Sequence, residues 1–382
     1  MQIRTSHSVF PTRIILLFAC LISGATLAQS KEDLENVQAL ISDSLFEVSQ
    51  KACINPAENR KPETWLNRAR VLSAILDDPN LVARHFQTDI PVETANALLM
   101  LKVLDGEQKY RHFTEPGLAG ICIDLGNSGI HALENARLYD SEEDAKKAAG
   151  LLEKTMECYR LTGESRPVVD NEWAKNGLDL NWFQFFTGVA MRKAGDKTRS
   201  SQMFTPLLEK EWPRKNLYLE AANLSDSLGL IAESVEILKK GLKKLPGDIE
   251  LYCALVQQHL RAGESKEAAS WLKKAGLNRQ AQFHPEYAYA QGSFYENQGN
   301  LSKAMQFYEI PYRADSNEVS AIRRYAAFLL RNAGRFEGSS ADQQAALSYR
   351  LLRRAQDLSP ENRTIRREME AILIKYPDAD KS

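Results

Sequence analysis

Catalysis or metal binding would need histidines, cysteines or carboxylates gathered at the right spacing. His85, His112, His131, His259 and His284 are scattered. No two stand three or four residues apart, so no helix face carries an imidazole pair, and no H-E-x-x-H occurs. Gly126-Asn127-Ser128-Gly129 places a serine among glycines. It lacks the G-x-S-x-G spacing of a nucleophile elbow, and no strand precedes it. Neither a G-x-x-x-x-G-K-[ST] phosphate loop nor a dinucleotide fingerprint is present. Glu142-Glu143-Asp144 reads as a solvated helix start, where carboxylates favour the positive end of the helix dipole. The expectation is therefore a chain without catalytic, cofactor or metal residues, and not an enzyme.

The first 28 residues stand apart. Arg4 and Arg13 precede an apolar run, Ile14 to Ile22, followed by small residues up to Ala28. This is the pattern of a secretory signal peptide cleaved after Ala28. It implies a periplasmic or secreted protein. A second reading takes Leu17-Phe18-Ala19-Cys20 as a lipid-attachment box, with Cys20 anchored at the outer membrane. No later stretch of 18 apolar residues occurs, so the mature chain should have no transmembrane anchor. Four cysteines remain after the leader: Cys53, Cys122, Cys158 and Cys253. Export permits disulfides. Cys122 and Cys158 fall where two antiparallel helices would bring them together, which makes a Cys122–Cys158 bridge one reading. Cys53 could compete for either, and four buried, reduced thiols are the alternative. The spacings contain no C-x-x-C, which argues against structural zinc.

What must position any working residue is a helical array. Gly195, Gly229, Gly263, Gly299 and Gly334 recur at intervals of 34 to 36 residues. Five positions after each of the first four stands a small residue (Ser200, Ser234, Ala268, Ala304). Four further on stands a large apolar one (Phe204, Leu238, Leu272, Tyr308). Seven before each glycine stands Gly188, Ala222, Val256, Gly292 or Ala327. Each period reads as two helices. The glycine ends the first in a left-handed turn, and residues such as Asn300 cap the second. Small residues let the pair approach closely, and one pair alone cannot bury both its apolar faces. This order resembles the tetratricopeptide repeat. The resemblance implies an all-α chain, an α-solenoid of stacked helix-turn-helix units with a C-terminal capping helix, and a function in binding.

The chain divides by this reading into a leader, 1–28, and an N-terminal helical region with degenerate hairpins, 29–165. A regular array follows at 166–362, then a capping helix and disordered tail at 363–382. The first helix, 31–52, aligns Leu34, Val37, Ile41, Leu45 and Val48 on one face. Residues 161–170 read as a connector, and 335–342 as a long loop inside the fifth unit. Pro206 and Pro311 fall inside second helices and should bend or shorten them.

The resemblance also implies a concave groove lined by one face of each first helix. Carried over by repeat position, its candidates are Trp182, Phe185 and Arg192, then Asn216, Asn223 and Asp226, then Glu250 and Gln257. Glu286, Tyr289 and Glu296 follow, then Arg324, Phe328 and Arg331. Trp182 and Phe185 read equally well as core residues covered by the N-terminal half. Arg324 and Arg331 match only part of the basic clamp by which some members hold a C-terminal carboxylate. The expected partner is a protein or peptide, with the chain serving as an exported adaptor in an envelope assembly. The alternative is an outer-membrane accessory that stacks a glycan on Trp182, Phe185 and Tyr289. Lys and Arg total 49 against 50 Asp and Glu, a net charge of −1. That balance offers no basic excess for a phosphate backbone, so nucleic acid is not the expected partner.

Overall fold

The computed structural model describes residues 31–381 apart from Phe86 and Glu337, with side chains from residue 43 onward. The leader and Cys20 lie outside the described residues. Every regular element described is helical. The helices are α1 (Lys31–Ile54), α2 (Pro62–Leu76), α3 (Pro79–Arg84), α4 (Ile90–Leu104), α5 (Arg111–Leu138), α6 (Glu142–Leu161) and α7 (Arg166–Ala174). Next come α8 (Leu180–Lys193), α9 (Lys197–Glu209), α10 (Lys215–Ser227), α11 (Ile231–Lys244), α12 (Ile249–Arg261) and α13 (Ser265–Ala275). The series ends with α14 (Pro285–Asn297), α15 (Leu301–Ala314), α16 (Val319–Arg331), α17 (Ala341–Leu358) and α18 (Arg363–Lys375). Two compact units form. One holds the described residues up to His131 with Gly150–Phe183; the other holds Ala132–Ala149 with Gln184 onward.

In the first unit, proline at the first turn starts α2, α3 and α4, where its missing N–H costs nothing. Asp78 and Asp89 cap α3 and α4. Over its last turns α1 does not pack by the expected apolar stripe. Leu45 and Val48 are 49% and 64% exposed, while Phe46 and Ser49 are buried. Arg68 of α2 is the cause. It is 2% exposed, its guanidinium lies 4.3 Å over the Phe46 ring, and it donates to the Phe46 carbonyl at 3.0 Å and to Ser49 Oγ at 3.2 Å. A buried charge must be satisfied, and this need outranks two aliphatic side chains.

The expected connector at 161–170 is a 3-10 turn, Gly163–Ser165, running into α7. Two contacts fix it. The buried Glu115 carboxylate accepts from the Glu164 amide at 2.8 Å, from Lys102 at 2.8 Å and from Arg111 at 3.0 Å. Trp173 stacks between Tyr159 and Phe183, with centroids at 5.1 and 4.0 Å. The Cys122–Cys158 bridge is not present, and the four described cysteines are free. Cys122 Sγ instead donates to the Thr155 carbonyl at 3.3 Å. Burial pushes the Cys122 thiol well above its usual value and Cys158 up to about 12, so neither is a ready thiolate.

In the second unit the helices pair as α10/α11, α12/α13, α14/α15 and α16/α17, and α18 packs on α17; α9 meets α8 where Ser200 bonds to Gly188. All five periodic glycines have positive φ, from 76° to 85°. A Cβ added at Gly195, Gly229, Gly263 or Gly299 would meet nothing within 4 Å, so backbone conformation alone selects glycine there. Gly188 and Gly292 answer a different need. An added Cβ would stand 2.5 Å from the Phe204 ring and 2.9 Å from the Tyr308 ring respectively. Ser200 lies in the first of these contacts, and its hydroxyl donates to the Gly188 carbonyl at 2.8 Å.

Pro206 and Pro311 sit in the last turns of α9 and α15, which run on to Glu209 and Ala314. Three details depart from expectation. The fifth pair is shifted by one residue. Its first helix spans 13 residues like that before it, but its glycine stands one residue further past the helix end. Ala326, fully buried, therefore faces the second helix in place of the half-buried Ala327, and Ser348 Oγ donates to its carbonyl at 2.9 Å. The loop before α17 ends in a capping box at Ser340 and Gln343. In the tail, expected to be disordered, Ala379 is 4% exposed and joins Ile365 and Ile372 in the C-terminal core.

Candidate functional site

The first helices of the pairs, α8, α10, α12, α14 and α16, carry the groove candidates, and ion pairs link α8 to α10, α10 to α12 and α14 to α16. Arg192 on α8 pairs with Glu220 on α10 at 2.5 Å. Lys215 and Asp226 on α10 pair with Glu250 and Arg261 on α12. Glu250 also lies 3.7 Å from His284, the cap of α14. Glu286 on α14 pairs with Arg324 on α16 at 2.8 Å, and Glu296 with Arg331 at 3.1 Å. The result is a ladder of opposite charges running from helix to helix. Individual pairs of this exposure contribute about 0–1 kcal/mol each. Their effect is to hold long side chains in place and to cancel charge along the row.

Glu296 is the most tightly held. Besides Arg331 it accepts from Asn332 Nδ2 at 2.7 Å and from the Tyr308 hydroxyl at 3.0 Å. The carboxylate thus ties α14 to α15, α16 and the turn after α16. Burial pushes the Tyr308 phenol up to about 12. Tyr289 is raised to about 12 for the same reason, and the Arg324 guanidinium lies 4.3 Å over its ring.

The candidates separate accordingly. Asn216 and Asn223 are exposed and Gln257 is half-buried; Arg192, Asp226, Glu250, Glu286, Glu296, Arg324 and Arg331 form the ladder. The aromatic positions do not present open faces. Phe185 is buried against Phe204 and Trp212, with centroids 6.0 Å away in each case. Phe328 is fully buried and stacks on Tyr308 at 4.5 Å. The one-residue shift of the fifth pair turns it into the core. Tyr289 is 5% exposed. Trp182 is half-buried and belongs to the first unit.

Sequence reasoning passed over Lys215, Glu220, Arg261 and Asn332, although a signal was present. Lys215 and Glu250, Asp226 and Arg261, and Glu296 and Arg331 each stand 35 residues apart. Opposite charges one period apart on stacked helices are neighbours.

No protein-family model matches this chain, and no curated protein matches it. Among solved structures it is similar to TTC0263, a tetratricopeptide repeat protein of Thermus thermophilus. That match is 16% identical, covers 53% of this chain and 99% of the other, and has a TM-score of 0.40. It is similar also to yeast Tom70, 13% identical over 92% of this chain and 82% of the other, with a TM-score of 0.41. A third is the human IFIT1 dimer with m7Gppp-AAAA, 13% identical over 93% and 72%, with a TM-score of 0.44. The likeness is one of fold alone, that of helical repeats. No described helix is long and apolar enough to cross a membrane.

Proposed function

We propose that this chain is a non-enzymatic adaptor that binds a protein or peptide along the face of its first helices and is exported to the bacterial envelope. The observation that carries the reading is the ladder with two exposed amides and a half-buried one beside it. Asn216, Asn223 and Gln257 stand next to paired charges on α10 and α12. Amides held beside fixed, neutralised charges suit an extended backbone, which needs donors and acceptors in alternation. The near-neutral composition also favours peptide over nucleic acid. A glycan platform gains nothing here, since Phe185 and Tyr289 are buried.

Photo-crosslinking in cells tests the reading. A benzophenone amino acid at 216, 223 or 257 should capture a discrete partner, and the same residue at exposed Lys273 on α13 should not. Equal capture at both sets, or none at 216, 223 and 257, would sink the assignment. Export rests on the leader pattern. The mature chain should begin at Gln29, read by N-terminal sequencing of the envelope fraction. Fatty-acid labelling at Cys20 would instead support the lipid-anchored form.

A further inference from the structure

Within the second unit, the turn between α5 and α6 reaches the last helix of the chain. Asp140 sits in that turn with φ 51°, a left-handed conformation that costs an ordinary L-residue energy. Its carboxylate accepts a hydrogen bond from the Thr364 hydroxyl, 224 residues away, on the first turn of α18. It also lies 3.9 Å from Lys193 Nζ at the end of α8. Arg323 of α16 is held in two bonds of 3.0 and 2.6 Å to Glu368. The turn and the start of α6, Asp140-Ser141-Glu142-Glu143-Asp144, are strongly acidic. The groups that receive the Asp140 carboxylate, Lys193 and Thr364, are basic and hydroxylic and come from two separate helices.

We propose that Lys193 and Thr364 form a subsite for an acidic peptide side chain, and that the α5–α6 turn occupies it as an internal ligand. This rests on the reading of the chain as a peptide-binding adaptor. Two features mark a site rather than a simple clasp. The carboxylate is the bound group, and it is seated against an ammonium, a hydroxyl and the positive end of a 13-residue helix. The Lys193 ammonium, moreover, is disfavoured by its own burial. Burial and the neighbouring Arg192 and Arg137 lower its pKa, while Asp140 and Glu220 work to raise it. A cation in that position gains from any carboxylate brought to it. An external acidic segment must first displace Asp140, so the partner's apparent affinity is reduced by the fraction of time the turn is seated.

The test uses the full mature chain and a fluorescein-labelled synthetic peptide copying residues 137–146, read by fluorescence anisotropy at low salt. The wild type should bind it weakly. Asp140→Ala should bind it at least tenfold more tightly. Adding Lys193→Glu or Thr364→Ala to Asp140→Ala should remove that gain. An Asp140→Ala protein that binds no better than wild type overturns the proposal, provided that circular dichroism shows it folded. If it is not folded, Asp140→Asn, which keeps the hydrogen-bond acceptor and loses the charge, takes its place under the same criterion. An oligo-uridylate of equal charge that binds Asp140→Ala as tightly would overturn the peptide assignment. Failure of the partner captures at 216, 223 and 257 would leave this result intact, because the probe is the chain's own segment.

Discussion

At Gly299 and Gly292 the same residue type answers two different demands, and substitution separates them. Gly299 has φ 76° and open space around it. Alanine there meets no atom but must hold a left-handed backbone, a cost of about 1–2 kcal/mol. Gly292 has ordinary helical geometry. Its added methyl would press on Tyr308, whose hydroxyl is fixed by Ser293 and Glu296, so the ring cannot give way. Overpacking of this kind costs about 1–3 kcal/mol. Urea denaturation should show both losses. Asn at 299, which tolerates the left-handed region, should recover part of the first, whereas Asn at 292 should worsen the second. The turn glycines and the Asn300 cap, which accepts from the Lys303 amide at 3.1 Å, were legible in the sequence because they depend on local geometry alone. The burial of Phe185 and Phe328 was not, since an aromatic residue on a helix reads the same whether it faces solvent or a neighbour.

Helix packing permits a sharper test in the fifth pair. Ala326 is fully buried against α17, with Ser348 bonded to its carbonyl, and Ala327 is only half-buried. Ala326→Phe should cost about 1–3 kcal/mol, and Ala327→Phe distinctly less. The reverse ranking in thermal melts would restore the register read from glycine spacing. That register failed because spacing counts residues in the turn, while packing counts residues in the helix. In the first unit, Glu115 supplies a pH dependence. Burial alone would raise its carboxyl, but Lys102, the Glu164 amide and Arg111 outweigh this and hold it below the usual range. A carboxyl lowered on folding adds stability above its unfolded value, near 4.3, and loses that contribution as the pH falls through the lower folded value. Wild-type stability should therefore drop on acidification below about pH 4, and Glu115→Gln should be weaker at pH 7 but show a flatter acid limb. Parallel acid limbs for the two proteins would refute this.

For the molecule as a whole, the ladder makes a prediction about salt. Its rungs are largely exposed and worth about 0–1 kcal/mol apiece, and salt screens such pairs. Raising ionic strength should lower the melting temperature only slightly. Glu296→Ala, which strips Arg331, Asn332 and Tyr308 of one shared acceptor, should cost about 1.5–3 kcal/mol, the range for hydrogen bonds to a charged group. A large loss with salt would mean that the rungs, not the cores between helices, hold the array, and a negligible loss for Glu296→Ala would refute the shared-acceptor account of that carboxylate.

The sequence by itself settled the helical-hairpin character of this chain and the placement of its tight turns, because glycine, proline and capping residues act within a few bonds of where they stand. Only the tertiary structure decided which polar residues meet. Asp140 and Thr364 are distant in sequence and adjacent in space, and Arg68 overrules the apolar stripe of α1. Periodicity fixes what each helix is; the stacking of successive helices, with the one-residue offset in the fifth pair, fixes what each side chain touches.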